Sequence, residues 1–320
     1  QKYITKSEAR YAEHDEILST TKMAFASGNR KSASGIPFLV KNGKKYVDNE
    51  DNHTFVIEPT GCKKSRVTVY TTVASIVEAG ESAIVNDPKG EIYRKTALYA
   101  KERGYKVLTL NLRDMTKSNG WNPLSLPYKL NMDNNIPESE QALDDLTEAI
   151  IGPALKNTVD RYWADLASLV FYSSSKLLMD SVPKNHFNIS NVIQLTHESN
   201  ADTLRKILSS MDQTTSVATS MHGYLDLIAE KTSSCIYSTM KACLKPFIQN
   251  QILLELLCRD EIDFKDLTAP EEKTIIYIIY PDEKTSLCFL VNLFLTQCYQ
   301  VLITDSSKYA DGRLPKRVNF

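Results

Sequence analysis

Apolar positions along this chain follow two different periods. Phe55-Val56-Ile57, Ala83-Ile84-Val85 and Val107-Leu108-Thr109-Leu110 are short apolar runs of the kind that strands buried on both faces of a parallel sheet present. Between them, Ser65–Ala79 and Glu91–Arg103 are patterned as helices, and Gly104 stands where a helix C-cap belongs. This strand–helix alternation predicts a doubly wound α/β start. From about Pro137 to Leu257 the period becomes helical, with Trp163, Leu166, Val170 and Leu177 on one face. Shorter helices are predicted over Ser190–His197, Ala201–Met211 and Gly223–Lys231. Strand character returns at Thr274–Tyr280, an apolar helix follows over Leu287–Ile303, and Arg317–Phe320 reads as the start of another strand. Ahead of all this, Phe38-Leu39-Val40 and Tyr46-Val47 flank Asn42-Gly43, which predicts a small hairpin. The simplest architecture is one α/β domain interrupted by an all-helical insertion.

Composition narrows the function classes only a little. With 320 residues, 42% hydrophobic and 24% charged, the chain is long enough for one large or two medium domains of ordinary globular type. A net charge of −1 makes no global case for or against nucleic acid, so any such surface must be local. The cysteines Cys62, Cys235, Cys243, Cys258, Cys288 and Cys298 include no C-x-x-C pair, and no H-E-x-x-H occurs. Zinc chemistry is not indicated, and the thiols read as reduced core residues of a cytosolic protein. The most apolar runs, Ile275–Tyr280 and Leu287–Leu295, are shorter than the roughly 20 residues of a membrane span.

The chemistry-bearing stretch is Glu58-Pro59-Thr60-Gly61-Cys62-Lys63-Lys64-Ser65-Arg66, which follows the first apolar run and opens a helical pattern. It has the layout of a phosphate-binding loop, G-x-x-x-x-G-K-[ST], in which backbone amides wrap phosphates, Lys reaches the outer phosphates and the hydroxyl holds Mg²⁺. Glu58 and Lys63 stand where the two glycines belong. A carboxylate about 5 Å from a phosphate charge, at an effective dielectric of about 20, is repelled by roughly 3 kcal/mol. That is about a hundredfold in affinity. Against it, Lys63, Lys64 and Arg66 put three cations at one helix N-terminus, which itself attracts anions, and Lys63 is placed to offset Glu58. The bland alternative is a strand and turn followed by Lys-Ser with no ligand.

Two further acidic motifs end apolar runs. Asn86-Asp87-Pro88-Lys89-Gly90-Glu91 follows Ala83–Val85, at a strand end where doubly wound folds gather ligands. Asp87 there suits Mg²⁺ or water, and a turn with a helix start explains the same residues. Pro281-Asp282-Glu283 after the run to Tyr280 invites a Walker B reading. The intervening Pro281 favours a helix N-cap by Asp282 instead. Lys101–Arg103 and Arg313–Arg317 are local basic segments that solvated helix faces explain as well as nucleic acid does.

Taken together, these residues resemble the coupling proteins of bacterial conjugation, the TraG-like ATPases of type IV secretion. Ile84-Val85-Asn86-Asp87-Pro88-Lys89-Gly90-Glu91 resembles the family's strand-D-P-K-G-E, its most specific piece, and Trp121-Asn122-Pro123-Leu124 resembles its N-P-L. Asp160–Ala167 is similar to its D-x-x-W-x-x-x-A helix. Ile278–Glu283 and Thr296–Gln300 resemble its post-insertion strand and helix, and Ser7–Ala12 resembles the stretch after its membrane anchor. The likeness is collinear over nearly the whole chain.

The resemblance implies a RecA-like P-loop three-layer core with an inserted all-α domain. The expected layout is a linker and small hairpin over 1–50, a nucleotide-binding core over 51–136 and 236–320, and a substrate-recruiting helical insertion over 137–235. It implies ATP and Mg²⁺ as cofactors, with Thr60, Gly61, Cys62, Lys63, Lys64, Ser65 and Arg66 as the phosphate loop, Ser65 toward the metal, and Lys64 and Asp87 as the catalytic pair. The implied partners are a relaxase or relaxosome with single-stranded DNA, type IV secretion channel components, further copies in a homo-hexamer, and the cytoplasmic face of the bacterial membrane through a segment absent from this chain. Two departures stand out: the lost loop glycines, and a Walker B strand whose acidic end is expected just past Asn319. They support, as an alternative, a non-catalytic cargo adaptor on the same scaffold. A DNA pump for segregation or repair is a third reading.

Overall fold

The computed structural model describes residues 12–25, 32–59, 61, 63–155, 161–215, 217–219, 230–283 and 285–320. They fall into two compact units. The first comprises Gln1–Leu108, Lys265–Tyr277 and Arg313–Phe320, and the second Thr109–Phe264 and Ile278–Gly312. The boundaries expected at 136/137 and 235/236 therefore both lie within the second unit.

The first unit starts with helix α1 (His14–Thr20) and a small antiparallel sheet of order β1-β3-β2, made of β1 (Lys22–Ala24), β2 (Ile36–Lys41) and β3 (Lys44–Asp48). Asn42 (φ 52°) and Gly43 (φ 72°) are both left-handed, the backbone that a two-residue hairpin needs to match strand twist. Val47 is fully buried between Ala24 and Ala33.

Residues 52–59 form no strand, which corrects the expectation for Phe55-Val56-Ile57. The reason is the lack of neighbours. A parallel core strand exists because both its faces are covered, and here Phe55 and Ile57 are 87% and 80% exposed.

The chain then winds through a π turn, Ser65–Val69, into α2 (Tyr70–Ala79), which ends at left-handed Gly80. β4 (Ser82–Asn86), α3 (Glu91–Glu102) and β5 (Lys106–Asn111) follow as the patterning predicts. With β6 (Thr274–Ile279) and β7 (Val318–Asn319), the larger sheet has the order β5-β6-β4-β7. β7 runs parallel to β4, with Val318 opposite Ser82 and Asn319 opposite Ala83. All six residues of β6 are buried, which is why its sequence is a continuous apolar run rather than an alternation. The Tyr105 hydroxyl sits 3.0 to 3.2 Å from the carbonyl oxygens of Ile76, Val77 and Glu81, where it adds one donor to the Gly80 and Glu81 amides that already cap the C-terminus of α2.

The second unit is helical: α4 (Ser125–Met132), α5 (Ile136–Leu155), α6 (Arg161–Ser181), α7 (Ile189–Leu195), α8 (Ala201–Ser210), α9 (Glu230–Cys243), α10 (Gln251–Cys258) and α11 (Cys288–Ser306). On α6, Leu166, Val170 and Leu177 are buried, the face their spacing predicts. The expected helix over Gly223–Lys231 lies mostly outside the described residues, as does Asp160. Lys176, itself buried, pairs with Glu140 across α5 and α6.

By length and composition alone, α11 is long and apolar enough to cross a membrane. Here it packs as a core helix. Phe294 meets Trp121 and Phe264 edge-on at 5.0 and 4.9 Å. Gln297 is 2% exposed and donates to the Pro123 carbonyl at 2.7 Å.

Candidate functional site

Within the phosphate-loop sequence, Gly61 lies in an exposed turn and a helix opens from Lys64. Thr60 and Cys62 lie outside the described residues. Gly61 has φ 90° and open space around it, and Lys63 has φ 63°. A left-handed backbone suits glycine and strains a residue with a Cβ. The structure thus keeps a glycine-type conformation at the second glycine position although a lysine occupies it. Lys64 follows as the N-cap, at φ −43° and ψ −52°.

The first turn then departs from an α-helix. The Arg66 and Val67 amides both donate to the Lys63 carbonyl, at 2.9 and 3.0 Å. The Tyr70 amide reaches back to the Ser65 carbonyl, five residues earlier. Such wide turns recur at functional sites. Among the described residues, the Lys64 and Ser65 amides meet no backbone acceptor.

Lys63, Lys64 and Arg66 are exposed, and none of them has an ion-pair partner among the described residues. Lys63 accordingly does not neutralise Glu58, contrary to the expectation. One carboxylate oxygen of Glu58, Oε2, is instead buried without a hydrogen bond. Left-handed Lys63, the Ser65 hydroxyl and three exposed cations with no ion-pair partner among the described residues together fit a phosphate group, and the hydroxyl suits a divalent ion beside it. Glu58 is the feature that opposes them.

Asp87 ends β4 and is 2% exposed. Its carboxylate accepts from the Tyr93 amide at 2.8 Å, and its carbonyl accepts from the Gly90 amide at 3.0 Å. Asp-Pro-Lys-Gly is therefore a tight turn in which left-handed Gly90 is the N-cap of α3 and Asp87 satisfies a first-turn amide from outside it. Beyond it, Tyr93 packs edge-on against Tyr277 at 5.3 Å. Thr96 Oγ1 donates to the Ile92 carbonyl, which leaves the Tyr277 hydroxyl as donor in their 2.7 Å contact. Burial pushes the Tyr277 hydroxyl up to about 12.

Pro281-Asp282-Glu283 does not behave as either alternative suggested. The N-cap of α11 is Leu287, so Asp282 caps no helix there. Both carboxylates turn to Arg113 at the end of β5, which grips Glu283 through two nitrogens at 3.0 and 2.8 Å and reaches Asp282 at 3.5 Å. This fork holds the Glu283 carboxyl down at about 2. Nothing in the sequence announced the pairing, since Arg113 and Glu283 are 170 residues apart.

The basic segments are spoken for locally. Arg103 stacks 3.5 Å above the Tyr99 ring and pairs with Glu78, while Arg317 bonds Asp51 and the Asn49 carbonyl. The Trp121–Leu124 stretch is a core bracket: Trp121 and Asn122 are 2% and 4% exposed, and Asn122 donates to the Phe187 carbonyl at 2.8 Å.

Comparison with known proteins identifies the family and the fold. The profile of the family described as "Type IV secretory system Conjugative DNA transfer" matches residues 5–320. No curated protein matches the chain. Among solved structures it is similar to the bacterial conjugative coupling protein TrwBdeltaN70 in complex with sulphate, at TM-score 0.50 and 14% identity, over 81% of this chain and 53% of that one. It is also similar to plasmid coupling protein TrwB with the non-hydrolysable ATP analogue ADPNP, at TM-score 0.50 and 14% identity, over 82% and 54%. The same protein with ADP and Mg²⁺ matches at TM-score 0.49 and 14% identity, over 81% and 53%. The chain spans about half the length of these structures, and at this identity the likeness speaks to an α/β core of RecA-like kind. With the profile covering almost every residue, the chain belongs to the conjugative DNA transfer family of type IV secretory systems.

Proposed function

We propose that this chain is the nucleotide-responsive part of a conjugative coupling protein, which recruits relaxase–DNA or protein cargo and drives its transfer by ATP hydrolysis. The observation that carries the nucleotide half is the helix opening at Lys64, with left-handed Lys63 before it and three exposed cations around it that have no ion-pair partner among the described residues. In this reading Lys64 meets the outer phosphates, the Lys64 and Ser65 amides bind inner oxygens, and the Ser65 hydroxyl faces Mg²⁺. Mg²⁺, when bound, neutralises charge developing on the transferred phosphoryl group. Asp87 acts as a positioning residue: by holding the Tyr93 amide it fixes the start of α3 at the carboxyl end of β4. Cargo recruitment falls to the helical stretch 137–235. Single-stranded DNA, relaxosome proteins, channel components, a hexameric ring and attachment to the cytoplasmic face of the membrane are further parts of this proposal, supported by the family alone.

Titration with a fluorescent ATP analogue tests the site. Saturable binding that Lys64→Ala weakens about a hundredfold supports it; binding indifferent to Lys64→Ala refutes it. The orphan Glu58 oxygen favours a second reading, a cargo adaptor that binds nucleotide poorly and does not hydrolyse it. Under that reading, Glu58→Gly with Lys63→Gly creates turnover where the native chain has none. Brisk hydrolysis by the native chain rules the adaptor out.

A further inference from the structure

We propose a second ligand site, an anion-binding cavity in the helical unit where the Arg113 fork now holds Glu283 as an internal substitute for the ligand's own carboxylate or phosphate. The cavity has a volume of about 550 Å³ and lies at the carboxyl ends of β5 and β6. Both the size and the position are those at which small molecules bind in α/β folds. It is separate from the phosphate loop in both sequence and lining: Leu112, Met115 and Leu287 supply apolar surface, and Arg113, Lys245 and Ser286 supply polar groups.

The chemistry of the occupant follows from the two cations. Arg113 is planar, and its fork already shows the geometry it accepts, two parallel contacts of 3.0 and 2.8 Å to the oxygens of one carboxylate. The Lys245 side chain is exposed and has no hydrogen-bond or ion-pair partner among the described residues. An anion entering the cavity gains Lys245 outright and exchanges with Glu283 for Arg113. Glu283, more than half exposed as a side chain, can turn out to water when displaced. The fitting ligand is a small molecule with one anionic group, either a carboxylate or a phosphate ester, attached to an apolar body that covers Leu112, Met115 and Leu287. Glu283 therefore acts as a built-in competitor, and its removal is predicted to strengthen binding.

The test is calorimetric titration of the 320-residue chain with phenyl phosphate and with phenylacetate, using benzyl alcohol as the uncharged control. At least one anionic probe is expected to bind in the millimolar range or tighter, and benzyl alcohol is not. Binding of phenyl phosphate alone assigns phosphate esters, and binding of phenylacetate assigns carboxylates. Glu283→Gln should tighten binding about fivefold, the upper worth of an exposed ion pair. Lys245→Gln should weaken it by a similar factor, and in a Lys64→Ala background, which removes phenyl phosphate bound at the phosphate loop, the gain from Glu283→Gln should persist. The proposal is overturned if neither anion binds the chain or Glu283→Gln. It is equally overturned if Glu283→Gln binds no tighter than the native chain, or if the gain from Glu283→Gln disappears in the Lys64→Ala background. A failure on any of these counts leaves the phosphate-loop reading untouched.

Discussion

Lys63→Gly is a substitution for which the structure gives both a sign and a size. Lys63 holds φ 63°. A residue with a Cβ in that region costs about 1–2 kcal/mol relative to glycine. The side chain is exposed and has no ion-pair partner among the described residues, so its removal breaks no described contact. Glycine gives back part of the gain, roughly 0.5–1 kcal/mol, through the greater freedom of the unfolded chain. The net is a stabilisation of about 0.5–1 kcal/mol, or about 1–3 °C in melting temperature for a chain of this size. The mirror experiment is Gly61→Ala. Gly61 has φ 90° with nothing near the position a Cβ would take, so the loss there, about 1 kcal/mol, comes from backbone strain and not from a clash. Urea denaturation and calorimetry of both variants suffice. If Lys63→Gly lowers stability, the left-handed backbone at 63 is not strained in solution, and the glycine-type loop argued for this segment falls with it.

Further predictions concern the buried polar groups. Asp87→Ala leaves the Tyr93 amide without its acceptor and should cost about 1–3 kcal/mol in urea denaturation, with faster hydrogen exchange at the Tyr93 amide. Glu140→Ala strands the buried Lys176 ammonium and should cost roughly 3 kcal/mol, whereas Lys176→Met, which leaves a carboxylate able to reach solvent, should cost about 1 kcal/mol or less. Equal losses in the two would contradict the asymmetry. Tyr277 and Tyr99 ionise only near 12 in the folded chain, both chiefly because of burial, against about 10 when unfolded. The folded state keeps protons that the unfolded state gives up, so stability should be intact below pH 10 and decline from there to about pH 12. Circular dichroism followed alongside phenolate absorbance checks this, and a flat profile across that window would refute it. Tyr277→Phe should cost about 1 kcal/mol at neutral pH while blunting the alkaline decline.

Much of the fold could be read from apolar periodicity, because burial on two faces leaves a plain mark. β4, β5, β6, α3 and α11 lie within a few residues of their expected places, and Gly104, at φ 78°, sits one residue past the α3 C-cap. Phe55–Ile57 was misread for an instructive reason. An apolar run shows that a strand would be buried if partners were present, and says nothing about whether they are. The site was legible as a spacing of Lys, Ser and Asp; its geometry was not. Backbone conformation at Lys63 follows from the turn rather than from the residue, and the widened helix start is a matter of which amide finds which carbonyl. Arg113 with Glu283 was beyond reach for a simpler reason, since contacts between residues so far apart leave no local pattern. The Asp87 turn falls between these cases, because Pro and Gly announced a turn and only the coordinates showed which amide the carboxylate serves.

The opening turn of the Ser65 helix holds a reserve of chain. A π turn winds more residues into a given height than an α turn does. Tightening Ser65–Val69 to the ordinary pitch would hand one residue back to the preceding loop and carry the Ser65 hydroxyl around the axis, with Tyr70–Ala79 left wound. Such a step would be a single discrete one, at the helix start that carries Lys64, Ser65 and Arg66.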